Sequence, residues 1–211
     1  MNVVFDFGAV LFTWQPADLL RTRFPQWVDA AGNAPALAQA IFHHEDWQEF
    51  DRGSAEQDHV VARTAERLAL PHDDLHGLVS GIAQRLEPMP GSIDLLKGLV
   101  RRRQTQQDVR LYFLSNMPEP YARVLEGLHD FIDDFDGGIF SGDVGHIKPE
   151  PAIYQLLQER YALEPNRTVF IDDLLANVQA ARAIGWHGIH FSSVQQLAQA
   201  LQDLGLGGTE L

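Results

Sequence analysis

Four short stretches hold residue types that could do chemistry together. They are Asp6 after Val3-Val4-Phe5, Ser115-Asn116 after Leu111-Tyr112-Phe113-Leu114, Lys148 in Gly145-His146-Ile147-Lys148-Pro149, and Asp172-Asp173 after Val169-Phe170-Ile171. Taken singly, each has an ordinary use. A strand-end Asp before Gly forms turns, Ser-Asn before Pro caps a helix, Lys before Pro lies on the surface, and Asp-Asp at a helix start complements the dipole. Together they read differently. Three carboxylates at one sheet edge repel one another and would be costly without a cation. Carboxylate oxygens and a backbone carbonyl are the ligands Mg²⁺ prefers. A hydroxyl, exposed amides and an ammonium beside them make an anion site. A metal, a phosphate cradle and a carboxylate nucleophile describe phosphoryl transfer through an aspartyl-phosphate.

Such a site needs a scaffold that ends several strands side by side. Short apolar runs at 3–5, 109–114, 168–171 and 188–191 predict buried parallel strands. Apolar residues three and four apart predict helices over 118–128, 174–184 and 194–204. Strand alternating with helix is the pattern of a doubly wound α/β sheet, whose ligands bind beyond the carboxyl ends of its strands. Residues 16–88 break this rhythm. They hold no convincing strand and read as four or so helices, one begun by a capping box at Ser54-Ala55-Glu56-Gln57 and another after Pro71 with Asp73 and Asp74. The organisation expected is a core of residues 1–15 and 89–211 with an α-helical cap, 16–88, inserted after the first strand. The Gly-rich ending Gly205-Leu206-Gly207-Gly208-Thr209 is expected to fray.

Composition bounds the partners. The 211 residues carry 16 Lys+Arg against 29 Asp+Glu, a formal charge of -13 that disfavours nucleic acid and anionic membrane. With 45% apolar and 21% charged residues the chain is ordinary globular protein. Absence of cysteine excludes disulfides, thiolate metal sites and cysteine nucleophiles. No signal peptide opens the sequence and no apolar run nears the roughly 18 residues of a membrane span, so a cytoplasmic setting is expected. Arg101-Arg102-Arg103 reads as a solvated helix end. His43-His44 is a poor metal pair, because neighbouring side chains diverge by about 100° on a helix. Trp14 and Trp186 read as core residues.

The four stretches, in this order and spacing, resemble the haloacid dehalogenase (HAD) superfamily of phosphohydrolases. Asp6-Phe7-Gly8-Ala9-Val10-Leu11 is similar to its nucleophile motif and Leu114-Ser115-Asn116 to its second. Lys148-Pro149-Glu150-Pro151 with Ile153-Tyr154 is similar to the third motif of subfamily I, which has a helical cap, and Phe170-Ile171-Asp172-Asp173 with Asn177 to the fourth. Trp47-Gln48-Glu49-Phe50-Asp51-Arg52-Gly53 resembles the cap of bacterial sugar-phosphate (glucose-1-phosphate) phosphatases. The resemblance implies a Mg²⁺-dependent phosphomonoester hydrolase acting on a small phosphorylated metabolite, such as a sugar phosphate, as a monomer or homodimer. It implies Asp6 as nucleophile, with Lys148 neutralising charge, and Asp6, the Gly8 carbonyl and Asp173 as metal ligands, with Asp172 a ligand or outer partner. Ser115 and the Asn116 amide would hold phosphoryl oxygens, and Asn177 would orient a metal-bound water. Trp47, Phe50, Asp51 and Arg52 are candidates to lie near the site, alternatively packing residues and a turn ion pair.

One departure from the family pattern bears on mechanism. Many relatives place a second Asp two residues after the nucleophile, where it protonates the leaving group. Gly8 stands there and moves no proton, a service worth about 10²–10⁴-fold. Either the leaving group needs little protonation, as with an anomeric sugar hydroxyl, or a cap residue such as His43, His44 or Asp51, or a substrate hydroxyl, supplies the proton. The alternatives are a 2-haloacid dehalogenase-like hydrolase and a degenerate HAD-fold binding or regulatory protein. Asp172-Asp173 favours metal and phosphate over the former. A receiver domain would carry its acidic pair at the first strand, and a dinucleotide enzyme would show G-x-G-x-x-G there.

Overall fold

A computed structural model describes residues 1–30 and 33–207. Five parallel strands, β1 (Asn2–Phe5), β2 (Arg110–Ser115), β3 (Gly137–Phe140), β4 (Thr168–Asp172) and β5 (His187–His190), form one sheet in the order β3-β2-β1-β4-β5. The strand side chains alternate between two apolar layers, as a period of two requires. Val3, Phe5, Leu111, Phe113, Val169 and Ile171 face one layer, while Val4, Tyr112, Leu114 and Phe170 face the other. Helices α7 (Pro90–Gln106), α8 (Glu119–Leu128) and α11 (Val194–Asp203) cover the first face through Leu96, Leu125 and Leu197. Helices α9 (Pro151–Tyr161) and α10 (Leu175–Ala183) cover the second through Tyr154, Leu157 and Ala181. Such double coverage makes the strands apolar on both sides, and it is the doubly wound α/β fold expected.

Between β1 and α7 the described residues hold six helices: α1 (Pro16–Arg23), α2 (Pro25–Ala30), α3 (Ala34–Phe42), α4 (Glu45–Arg52), α5 (Gln57–Leu68) and α6 (His72–Ser80). No helix among the described residues is long and apolar enough to cross a membrane.

The pairing positions the chemistry. Phe5 of the central strand is level with Phe113 of β2 on one side and Ile171 of β4 on the other. Asp6 therefore emerges between the ends of β2 and β4, which are Ser115 and Asp172.

Several local expectations fail for identifiable reasons. The capping box does not form. The cap residue of α5 is Glu56, without a side-chain bond, and Ser54 Oγ instead donates to the Glu49 carbonyl that ends the previous helix. At the Gly-rich end Leu206 is buried, and Arg102 donates to the carbonyls of Gly205 and Gly207 while pairing with Asp108, so this arginine is no free solvated terminus. Gly208 and Thr209 lie outside the described residues.

Strand β3 carries no signal that sequence reading detects, because it begins Gly137-Gly138. The glycines are needed by their neighbours. A Cβ on Gly138 would overlap the Phe113 ring, and Tyr161 lies equally close above Gly137, whose φ is 154°. Gly138→Ala should overpack this contact and lower stability by about 1–3 kcal/mol, measured by urea unfolding. A midpoint unchanged from wild type would show that the Phe113 layer can yield.

Candidate active site

Asp6 leaves β1 with its amide bonded to the Ile171 carbonyl at 2.9 Å, which holds it to the neighbouring strand. The chain then turns tightly. The Phe7 carbonyl accepts from the amides of Leu11 and Phe12 at 2.9 and 2.8 Å, and Ala9 takes a left-handed φ of 55°. Oxygens from Asp6, Asp172 and Asp173 lie within 4.8 Å of one another. Asp6 and Asp172 are buried, so neither charge is relieved by water.

Lys148 holds the cluster together. Its Nζ lies 2.8 Å from Asp6 Oδ1 and 2.7 Å from Asp172 Oδ2, inside the protein. Asn116 fixes the lysine backbone from both sides. Its Oδ1 accepts from the Lys148 amide at 2.7 Å, and its Nδ2 donates to the Lys148 carbonyl at 3.0 Å. This clamp is a role that sequence reading missed, since nothing in Ser115-Asn116 shows where the amide points. Asn177 donates to both Asp172 oxygens, at 3.0 and 3.1 Å, and the Leu174 amide adds a bond to Oδ1 at 2.8 Å. Both oxygens of Asp172 are thus engaged. Ser115 is buried at the end of β2.

Above the cluster lies a cavity of 510 Å³. Asp6, Gly8, Ser115, Asn116, Lys148, Asp173 and Asn177 form its floor, and Trp14, Phe42, Trp47, Ile82, Leu86, Met117 and Tyr121 supply an apolar wall. A larger cavity of 620 Å³ shares Trp14, Ile82 and Leu86 with it but touches none of the acidic cluster. Among the four candidates from α4, Trp47 and Asp51 line the 510 Å³ cavity, whereas Phe50 packs edge-on against Trp47 and Tyr121. Arg52 does not line it, and pairs instead with Glu150 in the loop after Lys148. Trp14, read from sequence as a core residue, lines the cavity against Phe42, while Trp186 is buried as expected. His44 caps α4 and contacts Asp46 at 2.9 Å, away from the floor.

A family model described as haloacid dehalogenase-like hydrolase matches residues 6–185, which includes every residue of the floor. The chain belongs to this family. The sesquiterpene phosphatase astK of Aspergillus oryzae is 29% identical over 95% of this chain and 94% of its own. The D-ribitol-5-phosphate phosphatase of Bacteroides thetaiotaomicron is 23% identical over 88% of each. Among solved structures, a HAD family enzyme from the same bacterium superposes with a TM-score of 0.69 at 17% identity, covering 90% of this chain and 93% of that one. The likeness shows a shared fold.

The electrostatics of this hydrolase follow from burial. Removal from water pushes the Asp6 carboxyl up to about 7, with Lys148 opposing and Asp172 and Asp173 reinforcing the rise. Burial and Asp172 likewise raise Asp173. Desolvation works against the Lys148 charge, but Asp172 and Asp6 outweigh it and hold the ammonium above the usual lysine range. Asp51 is pushed up to about 8, first by burial; Lys148 opposes, Asp6 adds to the rise, and Arg52 opposes.

A carboxyl whose folded pKa exceeds its unfolded value keeps its proton where the unfolded chain has lost it. Stability therefore falls as pH rises from about 4 towards about 8. Asp51→Asn removes this dependence. In metal-free protein, the Tm of the variant relative to wild type should climb between pH 5 and pH 9. A constant difference would mean that Asp51 ionises normally in the fold.

Proposed function

We propose that this hydrolase is a phosphomonoesterase, which passes the phosphoryl group of a small organic phosphate to Asp6 and then to water. The observation that supports this best is the convergence of Asp6, Asp172, Asp173 and Lys148 below a cavity whose floor also offers the Ser115 hydroxyl. The relatives named as phosphatases agree with it.

The donor set fits Mg²⁺. Three carboxylates against one ammonium leave two uncompensated negative charges, matching a dication, and all donors are hard oxygens. Asp172 already gives both oxygens to Lys148, Asn177 and Leu174, so it serves as an outer partner. Asp6 Oδ2 and the Asp173 carboxylate accept no side-chain hydrogen bond among the described residues. Asp6, Asp173 and the Gly8 carbonyl would hold the ion, with Asn177 orienting Asp172. When bound, Mg²⁺ supplies positive charge against the phosphoryl oxygens.

An Asp6 oxygen attacks phosphorus, giving an aspartyl-phosphate. Ser115 Oγ and the Asn116 backbone N–H hold phosphoryl oxygens, and Lys148 balances charge as the Asp6 carboxylate becomes an acyl phosphate. The helices between 16 and 88 act as a cap that keeps bulk water from the reaction. The Trp14, Phe42, Trp47, Ile82 and Leu86 wall gains by burying apolar surface and offers a sugar ring few hydrogen bonds. The substrate's organic part is accordingly apolar, as the word sesquiterpene implies for the astK relative, rather than a polyhydroxylated sugar.

Phosphate release from p-nitrophenyl phosphate should require Mg²⁺, vanish with EDTA, and fall to background in Asp6→Asn. Activity retained by that variant, or chloride release from 2-chloropropionate without metal, would defeat the reading. Hexyl phosphate should exceed glucose 1-phosphate in kcat/KM by about tenfold or more, from the apolar contacts alone. The reverse order would restore the sugar phosphate.

A further inference from the structure

Expulsion of an alkoxide needs a proton, and the turn after the nucleophile has no side chain to give one. Gly8 lines the cavity, and a Cβ there would meet nothing within 4 Å, so no neighbouring group has taken the space. Apart from the cluster and its lysine, the titratable side chains lining the cavity are His43, Asp51, Glu150 and Tyr121. Glu150 is tied to Arg52 and to the Ile147 amide. Tyr121 gives its hydroxyl to the Val79 carbonyl. His43 is an exposed residue at the end of α3. Asp51 remains.

The backbone around Asp51 is fastened to the core on three consecutive residues. The Asp51 carbonyl accepts from Ser141 Oγ, and Ser141 Oγ in turn accepts from the Met117 amide at 2.8 Å. Arg52 pairs with Glu150. Gly53, at φ 74°, lies so near Gly142 that a Cβ would come 2.5 Å from its carbonyl oxygen. These contacts reach the loops that follow β2 and β3, which carry Asn116 and Lys148 of the floor. They hold the Asp51 side chain over that floor although it belongs to an inserted helix.

We propose that Asp51 is the general acid and base of this site, taking the part that Gly8 cannot. This rests on the phosphomonoesterase reading above. As the bond from Asp6 to phosphorus forms and the ester P–O bond breaks, Asp51 gives its proton to the leaving oxygen, which departs as the alcohol. The Asp51 carboxylate then takes a proton from the water that attacks phosphorus, the Asp6–phosphorus bond breaks, and inorganic phosphate leaves with both carboxyls restored. Burial favours the protonated form of Asp51, which suits the first of these steps.

The test compares wild type with Asp51→Asn on two substrates in saturating Mg²⁺. Hexyl phosphate leaves as an alkoxide and needs a proton; p-nitrophenyl phosphate leaves as a stable phenolate and does not. For the variant, kcat/KM on hexyl phosphate should fall by about 10²–10⁴-fold. On p-nitrophenyl phosphate it should stay within about tenfold of wild type, because kcat/KM ends at the first irreversible step. Hydrolysis of the phospho-enzyme then lacks its base, so the variant should show a burst of p-nitrophenolate equal to the enzyme present. Such a burst cannot come from a misfolded protein. Equal losses on both substrates in a variant that still unfolds cooperatively, or undiminished hexyl phosphate turnover, would overturn the assignment. A wild type that hydrolyses neither substrate would instead overturn the phosphomonoesterase reading, and the role of Asp51 with it.

Discussion

The site depends on one buried ammonium. Lys148 Nζ stands between Asp6 at the end of β1 and Asp172 at the end of β4, within 2.8 Å of both. Taking these groups from water costs several kcal/mol each, and only close geometry returns it. The geometry comes from the sheet. Strands β1 and β4 are neighbours in register, so the two carboxylates open at the same level. The Asn116 clamp sets the lysine opposite them from the other side of β1. One ammonium among three carboxylates also leaves the cluster short of positive charge, which is why the proposed function includes a cation.

The inserted helices are not a separate layer resting on this edge. Tyr121 of α8 donates to Val79 of α6, Arg52 meets Glu150, and Ser141 meets Asp51. Each link joins a helix from the 16–88 stretch to an element that follows a strand of the sheet. The apolar wall is shared in the same way, with Trp14, Phe42 and Trp47 from one side and Met117 and Tyr121 from the other. Because aromatic rings from both parts meet, as Trp47, Phe50 and Tyr121 do, the wall is complete only when the parts are together.

The central strands were legible in the sequence because burial on both faces leaves unbroken apolar runs, as in Val3-Val4-Phe5 and Val169-Phe170-Ile171. Asp6, Ser115 and Asp172-Asp173 stood out in the sequence because they follow such runs, and Lys148 because it precedes a proline. Strand β3 did not, since its two glycines serve Phe113 and Tyr161, residues distant in sequence. The family resemblance made Asp173 a metal ligand but left Asp172 as a ligand or an outer partner. Adjacent Asp residues look alike until Asn177 and Leu174 take up the oxygens of the first. In α4, Asp51 and Arg52 are also adjacent, yet helical geometry turns one towards the cavity and the other towards Glu150. The total charge of -13 does not describe this pocket, where a buried lysine lies among three carboxylates.

The strand that sequence reading could not see is the one on which the Asp51 contact depends. Gly138 allows β3 to lie against Phe113, and β3 runs directly into Ser141, whose hydroxyl holds the Asp51 carbonyl. Side chains on β3 would push it away from β2 and carry Ser141 with it. A carboxyl placed on the nucleophile's own turn would need no such support, because β1 would position both groups at once. With the proton on an inserted helix, as proposed for Asp51, its position is a product of long-range packing, which couples the chemistry to how well the two parts of the chain fit. The glycines of β3 and the free space at Gly8 are then two sides of one arrangement.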